Sequence, residues 1–209
     1  MKHFVVGAAL LVMSFSSHTF SEEKKLDDGL LDPAWFGPAV EFRKTDVADY
    51  LWVKPGFTVK GKTVHVQTWT DPVLIDKKRD AKDSAMASKL TEEMPGLIRG
   101  SLSSSLADVS KVSRETGDLA MTGRIVDCNA GSKTAKWLVG MGAGSAAATW
   151  DMKIVDVATG EIVVAIHHRA ISGTNMSEEE DKIVKWLGKF GPALANDLAV
   201  YAAGKPAKK

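Results

Sequence analysis

Two stretches of the chain repeat apolar residues every three or four positions, which is the spacing of an amphipathic helix. The first spans 81–109 and contains Pro95, which is expected to kink or divide the helix because proline has no N–H to donate. The second begins at the capping box Ser177–Glu180 and is expected to break at Gly191-Pro192. The apolar stripes predict that both helices pack on a core: Met86, Leu90, Met94, Leu97, Ile98, Leu102 and Leu106 in the first, and Ile183, Val184, Trp186, Leu187 and Phe190 in the second.

Four other stretches alternate apolar and polar residues with the period of a β-strand. They cover 62–70, 118–128, 150–157 and 161–171. Together with the helices they give the order β-α-β-β-β-α. We therefore predict an α+β fold, a two-layer α/β sandwich whose four-stranded mixed sheet carries both helices on one face.

The last two strands are predicted to form a hairpin around the loop 158–160, in which Gly160 takes the left-handed conformation. Because successive strand residues point to opposite faces, His168 is expected to be buried beside Trp150 while His167 lies on the other face. The register that follows pairs Trp150 with His168, Asp151 with His167, Met152 with Ile166, Ile154 with Val164, and Val157 with Glu161.

The amino terminus has the order of residues found in a secretory signal peptide. A basic start is followed by an apolar run over 4–15, then by small polar residues up to Ser21 and a charged segment. The run is shorter than the about 20 apolar residues that span a bilayer, which favours cleavage over anchoring. We expect residues 1–21 to be removed on export to the periplasm, leaving a mature chain without a transmembrane helix. Association with the outer membrane stays open.

The remaining chain divides into three parts by composition. Residues 22–60 are predicted to form an irregular, aromatic-containing arm, because Pro33 and Pro38 interrupt any helix there. Residues 61–204 are predicted to form the α/β domain. Residues 205–209 are a basic tail that we expect to be disordered.

Charge and cysteine content argue against several classes of function. The chain has 27 basic and 26 acidic residues, and removal of the leader takes away one lysine. A neutral chain without a concentrated basic surface is not expected to bind nucleic acid. Cys128 is the one cysteine in the sequence, so it has no partner for an internal disulfide. We expect it to be buried and inert.

The uncharged segment 137–150, which lies between two tryptophans, is the main candidate for a binding surface. It lacks the Gly-Lys-Ser/Thr of a phosphate loop, and Ser145 stands where a dinucleotide loop needs its third glycine. A glycine-rich bend is favoured, while a membrane-inserted strand and close packing between protomers are alternatives. The candidate binding residues are Trp137, Gly140, Gly142, Gly144 and Trp150, with Asp151 and His167 beside them.

Candidate catalytic and metal-binding residues are few. His167 and His168 are adjacent, but adjacent strand residues point to opposite faces and do not share one metal ion. Asp151 opposite His167 is expected to make a structural hydrogen bond, since no nucleophile with a neighbouring base accompanies the pair. The acidic residues between 71 and 83 lack the spacing of a calcium loop. We therefore predict no catalytic residue, no metal site and no cofactor.

Four short runs, each containing glycine, resemble a known bacterial family. They are Gly117–Asp127, Val139–Ser145 and Val155–Glu161, preceded by Val53-Lys54-Pro55-Gly56. In this order they resemble the exported family called domain of unknown function 4410, over roughly residues 50–200. The resemblance implies an α/β domain akin to the amino-terminal domain of TolB and to the periplasmic domain of the curli secretion channel. It implies no established activity and no catalytic residues, and this chain lacks the lipobox cysteine of many such proteins.

These observations predict a periplasmic, non-catalytic binding or interaction module whose partner is an envelope protein or a second copy of the chain. The alternative is an envelope assembly component that oligomerises, or touches the outer membrane, through residues 137–150. A metal-dependent or hydrolytic enzyme acting through Asp151 and His167 is a weaker alternative. Separation of those two side chains in the structure would remove it.

Overall fold

The computed structural model describes residues 26–75, 79–131, 145–172, 179–198 and 201. Its helices are α1 (Pro33–Phe36), α2 (Ala81–Ser105) and α3 (Glu179–Ala195), and a 3₁₀ turn covers Leu26–Gly29. Its strands are β1 (Tyr50–Val53), β2 (Thr63–Val66), β3 (Lys111–Ser113), β4 (Leu119–Asn129), β5 (Ala147–Asp156) and β6 (Ile162–Ile171). They form one mixed sheet in the order β1-β6-β5-β4-β2-β3.

The α+β class and the mixed sheet are confirmed, but the sheet has six strands and not the four predicted. β1 pairs antiparallel with β6 at one edge, and β3 pairs parallel with β2 at the other. β3 has three residues, too few for an alternating pattern to stand out from the sequence, and β1 is a four-residue run of aromatic and aliphatic side chains that does not alternate. β1 lies in the stretch that composition assigned to an irregular arm, and it pairs with β6 and, through Leu51, with Arg43.

Both long helices continue through an internal proline, so the predicted break at Gly191-Pro192 is wrong. Pro95 lies within α2 and Pro192 lies within α3. Burial of the surrounding helix face offsets the lost backbone hydrogen bond, since Phe190, Ala193 and Leu194 are at most 4% exposed. The predicted cap residue of this helix, Ser177, lies outside the described residues.

Both long helices pack on the same face of the sheet, as predicted. α2 contacts β4, and α3 contacts both α2 and β6. Alternate residues of the three central strands point into this layer and are fully buried: Leu119, Met121, Ile125, Trp150, Met152, Ile154, Val164 and Ile166. This continuous apolar layer is the core of the domain.

The hairpin of β5 and β6 has the predicted register over most of its length, with Trp150 opposite His168 and Asp151 opposite His167. Gly160 has a φ of 72°, the left-handed conformation expected for the loop. The register shifts at Ile154/Val155, so the predicted pairing at the loop is wrong by one residue, and the N–H of Asp156 donates to the carbonyl of Glu161. A β-bulge of this kind depends on local packing rather than on the alternating pattern.

The two histidines lie on opposite faces, as the register predicted. The imidazole of His168 lies beside Trp150, with ring centroids 5.2 Å apart, but its side chain is 17% exposed. The side chain of His167 is fully buried on the other face. The expectation that His168 is the buried histidine is therefore only partly correct, because a layer outside the predicted sandwich covers His167.

Candidate functional site

A row of polar side chains crosses the sheet on the face that points away from α2 and α3. Arg124, Asp151 and His167 are direct cross-strand neighbours on β4, β5 and β6, and we call these three residues the polar row. Tyr50 of β1 pairs with His167 and extends the row to the sheet edge. Directly opposed residues have Cβ atoms about 5 Å apart, so strand pairing alone brings these side chains together.

Asp151 is the centre of the polar row. Its Oδ2 accepts hydrogen bonds from Nε and Nη2 of Arg124, at 2.9 and 2.8 Å. Its Oδ1 lies 2.7 Å from Nδ1 of His167, and Nε2 of the same imidazole lies 2.9 Å from Oδ2 of Asp27. Ionised carboxylates only accept hydrogen bonds, so the geometry favours an imidazolium that donates from both nitrogens.

The polar row is buried and ionic. The side chains of Asp151 and His167 are fully buried, and that of Arg124 is 9% exposed. Burial works to lower the pKa of His167, but its hydrogen bonds to Asp151 and Asp27 outweigh burial and raise the pKa above the usual 6.5. Buried charges persist only when they are paired and hydrogen-bonded, and each member of the row has such a partner.

Residues 26–36, which we call the strap, cover the polar row. Asp32 in the strap caps α1: its Oδ1 accepts from the N–H of Ala34 at 3.0 Å, and Pro33 takes the first helical position. The Oδ2 of Asp32 lies 3.4 Å from Nη2 of Arg124. Local capping therefore aims one carboxylate oxygen at the helix and leaves the other for the sheet.

Trp35 in the strap lies over two cations of the sheet. Its ring centroid is 4.6 Å from the guanidinium carbon of Arg124 and 4.0 Å from Nζ of Lys153. Nζ of Lys153 also donates to the carbonyl of Trp35 at 3.0 Å. Burial lowers the pKa of Lys153, and the Arg124 charge adds to this, while Asp151 acts in the opposite direction.

The opposite face of the sheet carries a second histidine–aspartate pair, His168 with Asp49. Nδ1 of His168 lies 2.8 Å from Oδ2 of Asp49, and the ring stacks on Trp186 with centroids 5.1 Å apart. Burial works to raise the pKa of Asp49, but hydrogen bonds from His168 and from the N–H of Arg169 outweigh it and hold the pKa below 3.8. The Asp49 side chain is 49% exposed, so water screens this pair.

The three candidate binding residues that the structure describes, Trp150, Asp151 and His167, lie on two faces of the sheet. Asp151 and His167 come together as predicted, so the condition that would have removed the enzyme alternative is not met. Trp150 is fully buried against Trp186 on the helix-bearing face and points away from them. The other four candidates lie outside the described residues: Trp137, Gly140, Gly142 and Gly144.

Five residues that complete the site were not predicted from the sequence: Asp27, Asp32, Trp35, Arg124 and Lys153. Arg124 and Lys153 occupy strand positions that alternation assigns to a solvent face, so the sequence pattern does not indicate that these two side chains are covered. The three residues of the strap follow no period at all. A register between β4 and β5 would have placed Arg124 beside Asp151, and a buried cation beside a buried acid would then have been expected.

Within the described ranges the structure offers no metal centre and no spanning helix. No group of three or more His, Cys, Asp or Glu side chains there is arranged to hold a metal ion. None of the helices in those ranges is both long and apolar enough to cross a membrane. Cys128 is buried in the core, in agreement with the expected position of its thiol.

Two solved structures are similar to this chain at low sequence identity, each with a TM-score below 0.5. The PelC dodecamer from Paraburkholderia phytofirmans is 10% identical, with a TM-score of 0.45, and the match covers 69% of this chain and 95% of that chain. A Xanthomonas campestris protein of the DUF330 family is 10% identical, with a TM-score of 0.40, and the match covers 78% and 95%. No curated protein matches this chain.

A family model gives the firm assignment. It is described as a domain of unknown function, DUF4410, and it matches residues 53–204. The match includes the runs that resembled this family, and it excludes the strap. The chain therefore belongs to the DUF4410 family.

Proposed function

We propose that this protein is an exported, non-catalytic binding module of the cell envelope. The observation that carries the proposal is the saturation of His167, whose two ring nitrogens lie 2.7 and 2.9 Å from carboxylate oxygens. A general base needs a free lone pair within reach of a substrate proton. The polar row supplies none, because both oxygens of Asp151 are occupied as well.

Burial supports the same proposal. The side chains of Asp151 and His167 have no exposed surface while the strap is in place. A substrate would have to displace the strap and two buried ion pairs before it met either group. The arrangement is therefore better suited to fixing a covering segment than to turning over a substrate.

A hydrolase screen tests the absence of catalysis. The purified protein is incubated with ester, phosphoester, peptide and glycoside substrates, beside the His167→Ala variant and the Asp49→Ala variant as a control on the other face. We expect no turnover by any of the three proteins. Turnover by the unmodified protein would overturn the proposal, and its loss in the His167 variant but not in the Asp49 variant would assign it to the polar row.

Fractionation of the native envelope tests the location and the binding role. The leader over 1–21 supports export, so we expect the protein in the soluble periplasmic fraction, or released from membranes by high salt or carbonate. Retention until detergent is added would favour the alternative, an assembly component that oligomerises or meets the outer membrane through residues 137–150. Recovery in the cytoplasm would overturn export.

A further inference from the structure

The strap and the sheet beneath it are complementary in charge. The sheet presents three cations, Arg124, Lys153 and His167, around the single carboxylate of Asp151. We call these three cations and the sheet surface between them the acceptor. The strap carries three aspartates and no basic residue. Two of them, Asp27 and Asp32, contact acceptor cations.

The strap contacts the sheet in the manner of a bound peptide. Within the described residues, the backbone hydrogen bonds of 26–40 are all internal, such as Leu30 to Asp27 and Gly37 to Pro33. Its contacts to the sheet are made by side chains, together with the Trp35 carbonyl that accepts from Lys153. Two apolar side chains of the strap are also buried, Leu31 at 3% exposure and Phe36 at 1%, and the Phe36 ring lies edge-on to Phe42. Buried apolar side chains with flanking ion pairs are a common pattern of peptide recognition.

The docked strap holds an unfavourable backbone conformation. Asp27 and Asp28 have φ of 47° and 51°, in the left-handed region that residues other than glycine rarely adopt. Such a conformation is strained and persists only where surrounding contacts hold it. Asp27 is held by the turn hydrogen bond from the N–H of Leu30 and by its contact with His167, so the acceptor supplies one of the contacts that fix the docked conformation.

We propose that the acceptor binds an acidic, aromatic segment of another protein and that the strap occupies it as an intramolecular competitor. The ligand is a peptide with two carboxylates five positions apart and an aromatic ring three positions after the second, the spacing of Asp27, Asp32 and Trp35. The proposal rests on the proposed function as a binding module and names its binding surface. The acceptor lies within the residues that match the family, whereas its competitor lies outside them.

Competition binding tests the acceptor on the whole protein. The probe is a fluorescein-labelled peptide with the sequence of residues 26–37, followed by fluorescence polarisation. The test variant is Asp27→Asn combined with Asp32→Asn, which weakens the strap and leaves the acceptor unchanged. A site that is closed most of the time loses apparent affinity in proportion, so we expect the double variant to bind the probe about ten- to a hundredfold more tightly than the unmodified protein.

Matched controls separate the acceptor from a general charge effect. Asp28→Asn removes the same charge from an exposed neighbour that has no hydrogen bond or ion pair to any described residue, and it is expected to leave probe affinity unchanged. Lys153→Met, added to the double variant, removes a cation of the acceptor and is expected to weaken probe binding about tenfold. A probe with asparagine at the positions of Asp27 and Asp32 is expected to bind no variant. Circular dichroism confirms that each variant is folded.

If the folded double variant shows faster amide exchange over 26–36 but does not bind the probe, the proposal that the acceptor binds an acidic, aromatic peptide is wrong. Dimerisation of the unmodified protein that the probe reverses would also overturn it, because the ligand would then be the strap of a second copy. Neither result affects the absence of catalysis, which the hydrolase screen decides separately. Conversely, turnover by the protein would overturn the proposed function and leave a measured probe affinity in place.

Discussion

The two faces of the sheet are covered by two different kinds of layer. On one face, α2 and α3 bury apolar side chains such as Trp150, which is fully buried. On the other, the strap covers Asp151 and His167 through ion pairs and a tryptophan lying on cations. His167 and His168 are adjacent in the chain, yet they meet different aspartates, in different layers, at different depths. Apolar area holds the helix layer, whereas the strap combines ion pairs to the sheet with two buried apolar side chains, Leu31 and Phe36.

This difference has consequences for stability. Apolar contacts are non-directional and insensitive to pH, so the helix layer is expected to behave as part of the cooperative core. Buried ion pairs depend on every partner staying present and ionised. The face under the strap is therefore expected to respond strongly to the loss of a single carboxylate and to pH.

The largest effect is expected when the same residue type is removed from each layer. Trp150→Ala leaves a cavity in the close-packed helix layer and is expected to lower the free energy of unfolding by about 3–5 kcal/mol. Trp35→Ala removes a half-buried ring over two cations and is expected to cost about 1 kcal/mol. Urea denaturation followed by circular dichroism measures both. Equal costs would mean that the strap is part of the core.

When an aspartate is removed instead of a tryptophan, the larger loss of unfolding free energy is expected under the strap and the smaller one on the helix-bearing side. Asp151→Ala leaves Arg124 and His167 buried without their shared partner and is expected to cost about 3–5 kcal/mol of unfolding free energy. Asp49→Ala on the helix-bearing side removes a solvent-screened partner of His168 and is expected to cost at most about 1 kcal/mol. The same denaturation assay applies, and a mild effect of Asp151→Ala would contradict the assignment of the row as a buried ionic network.

Close packing within the helix layer can be tested at two glycines of α3. A Cβ added at Gly191 would lie 2.9 Å from the Cβ of Ser105 in α2, whereas a Cβ at Gly188 meets nothing within 4 Å. Gly191→Ala is expected to destabilise by about 1–3 kcal/mol through overpacking. Gly188→Ala is expected to stabilise by up to about 1 kcal/mol through helix propensity. Thermal unfolding of the two variants would give opposite shifts, and shifts of the same sign would contradict the close approach.

The two layers are expected to lose stability at different pH: the strap side as the pH rises, and the helix-bearing side as the pH falls. The pKa of His167 is raised above 6.5 in the folded protein, so its contribution is complete below pH 6.5 and is lost as the pH rises through the folded pKa. The pKa of Asp49 is held below 3.8, so its contribution is present above that value and is lost as the pH falls through the folded pKa. The groups facing His167 are Asp151, Asp27 and Tyr50, with the charge of Asp49 nearby.

Urea denaturation at a series of pH values measures how the free energy of unfolding depends on these two groups. The free energy of unfolding is expected to fall from about pH 6.5 upward in the unmodified protein, and His167→Gln is expected to remove that fall. Amide exchange over 26–36 is expected to rise over the same range, beyond the intrinsic pH effect measured on a peptide. A fall that persists in the His167 variant would assign the effect to another group.

Sequence patterning predicted the elements that are long enough to repeat. The helices over 81–105 and 179–195, the three long strands β4, β5 and β6 and most of the register of the last hairpin follow from periods of 3.6 and 2. The four-residue strand β2 was also predicted, because it lies inside a longer alternating stretch. β1 was missed because Tyr50–Val53 is an unbroken run of aromatic and aliphatic residues, and β3 because three residues carry no usable period. The helix continued through Pro192 because burial of its apolar face outweighed one missing hydrogen bond, a balance that composition does not contain.

The candidate site was only half predictable. The pairing of Asp151 with His167 came from the register, because strand alternation and a short loop fix which residues are opposed. Arg124 and Lys153 looked like ordinary solvent-facing strand residues, and the strap aspartates had no period to place them.

By itself the sequence determined the α+β class, the helix-bearing face and the separation of the two histidines, since each of these depends on local period alone. Only the tertiary structure decided that the second face is covered, that the strap aspartates meet His167 and Arg124, and that these charges are buried. Contacts between residues about 90 to 140 positions apart form only when the fold brings distant segments of the chain back together. That return is set by the packing of the whole domain and not by any single segment.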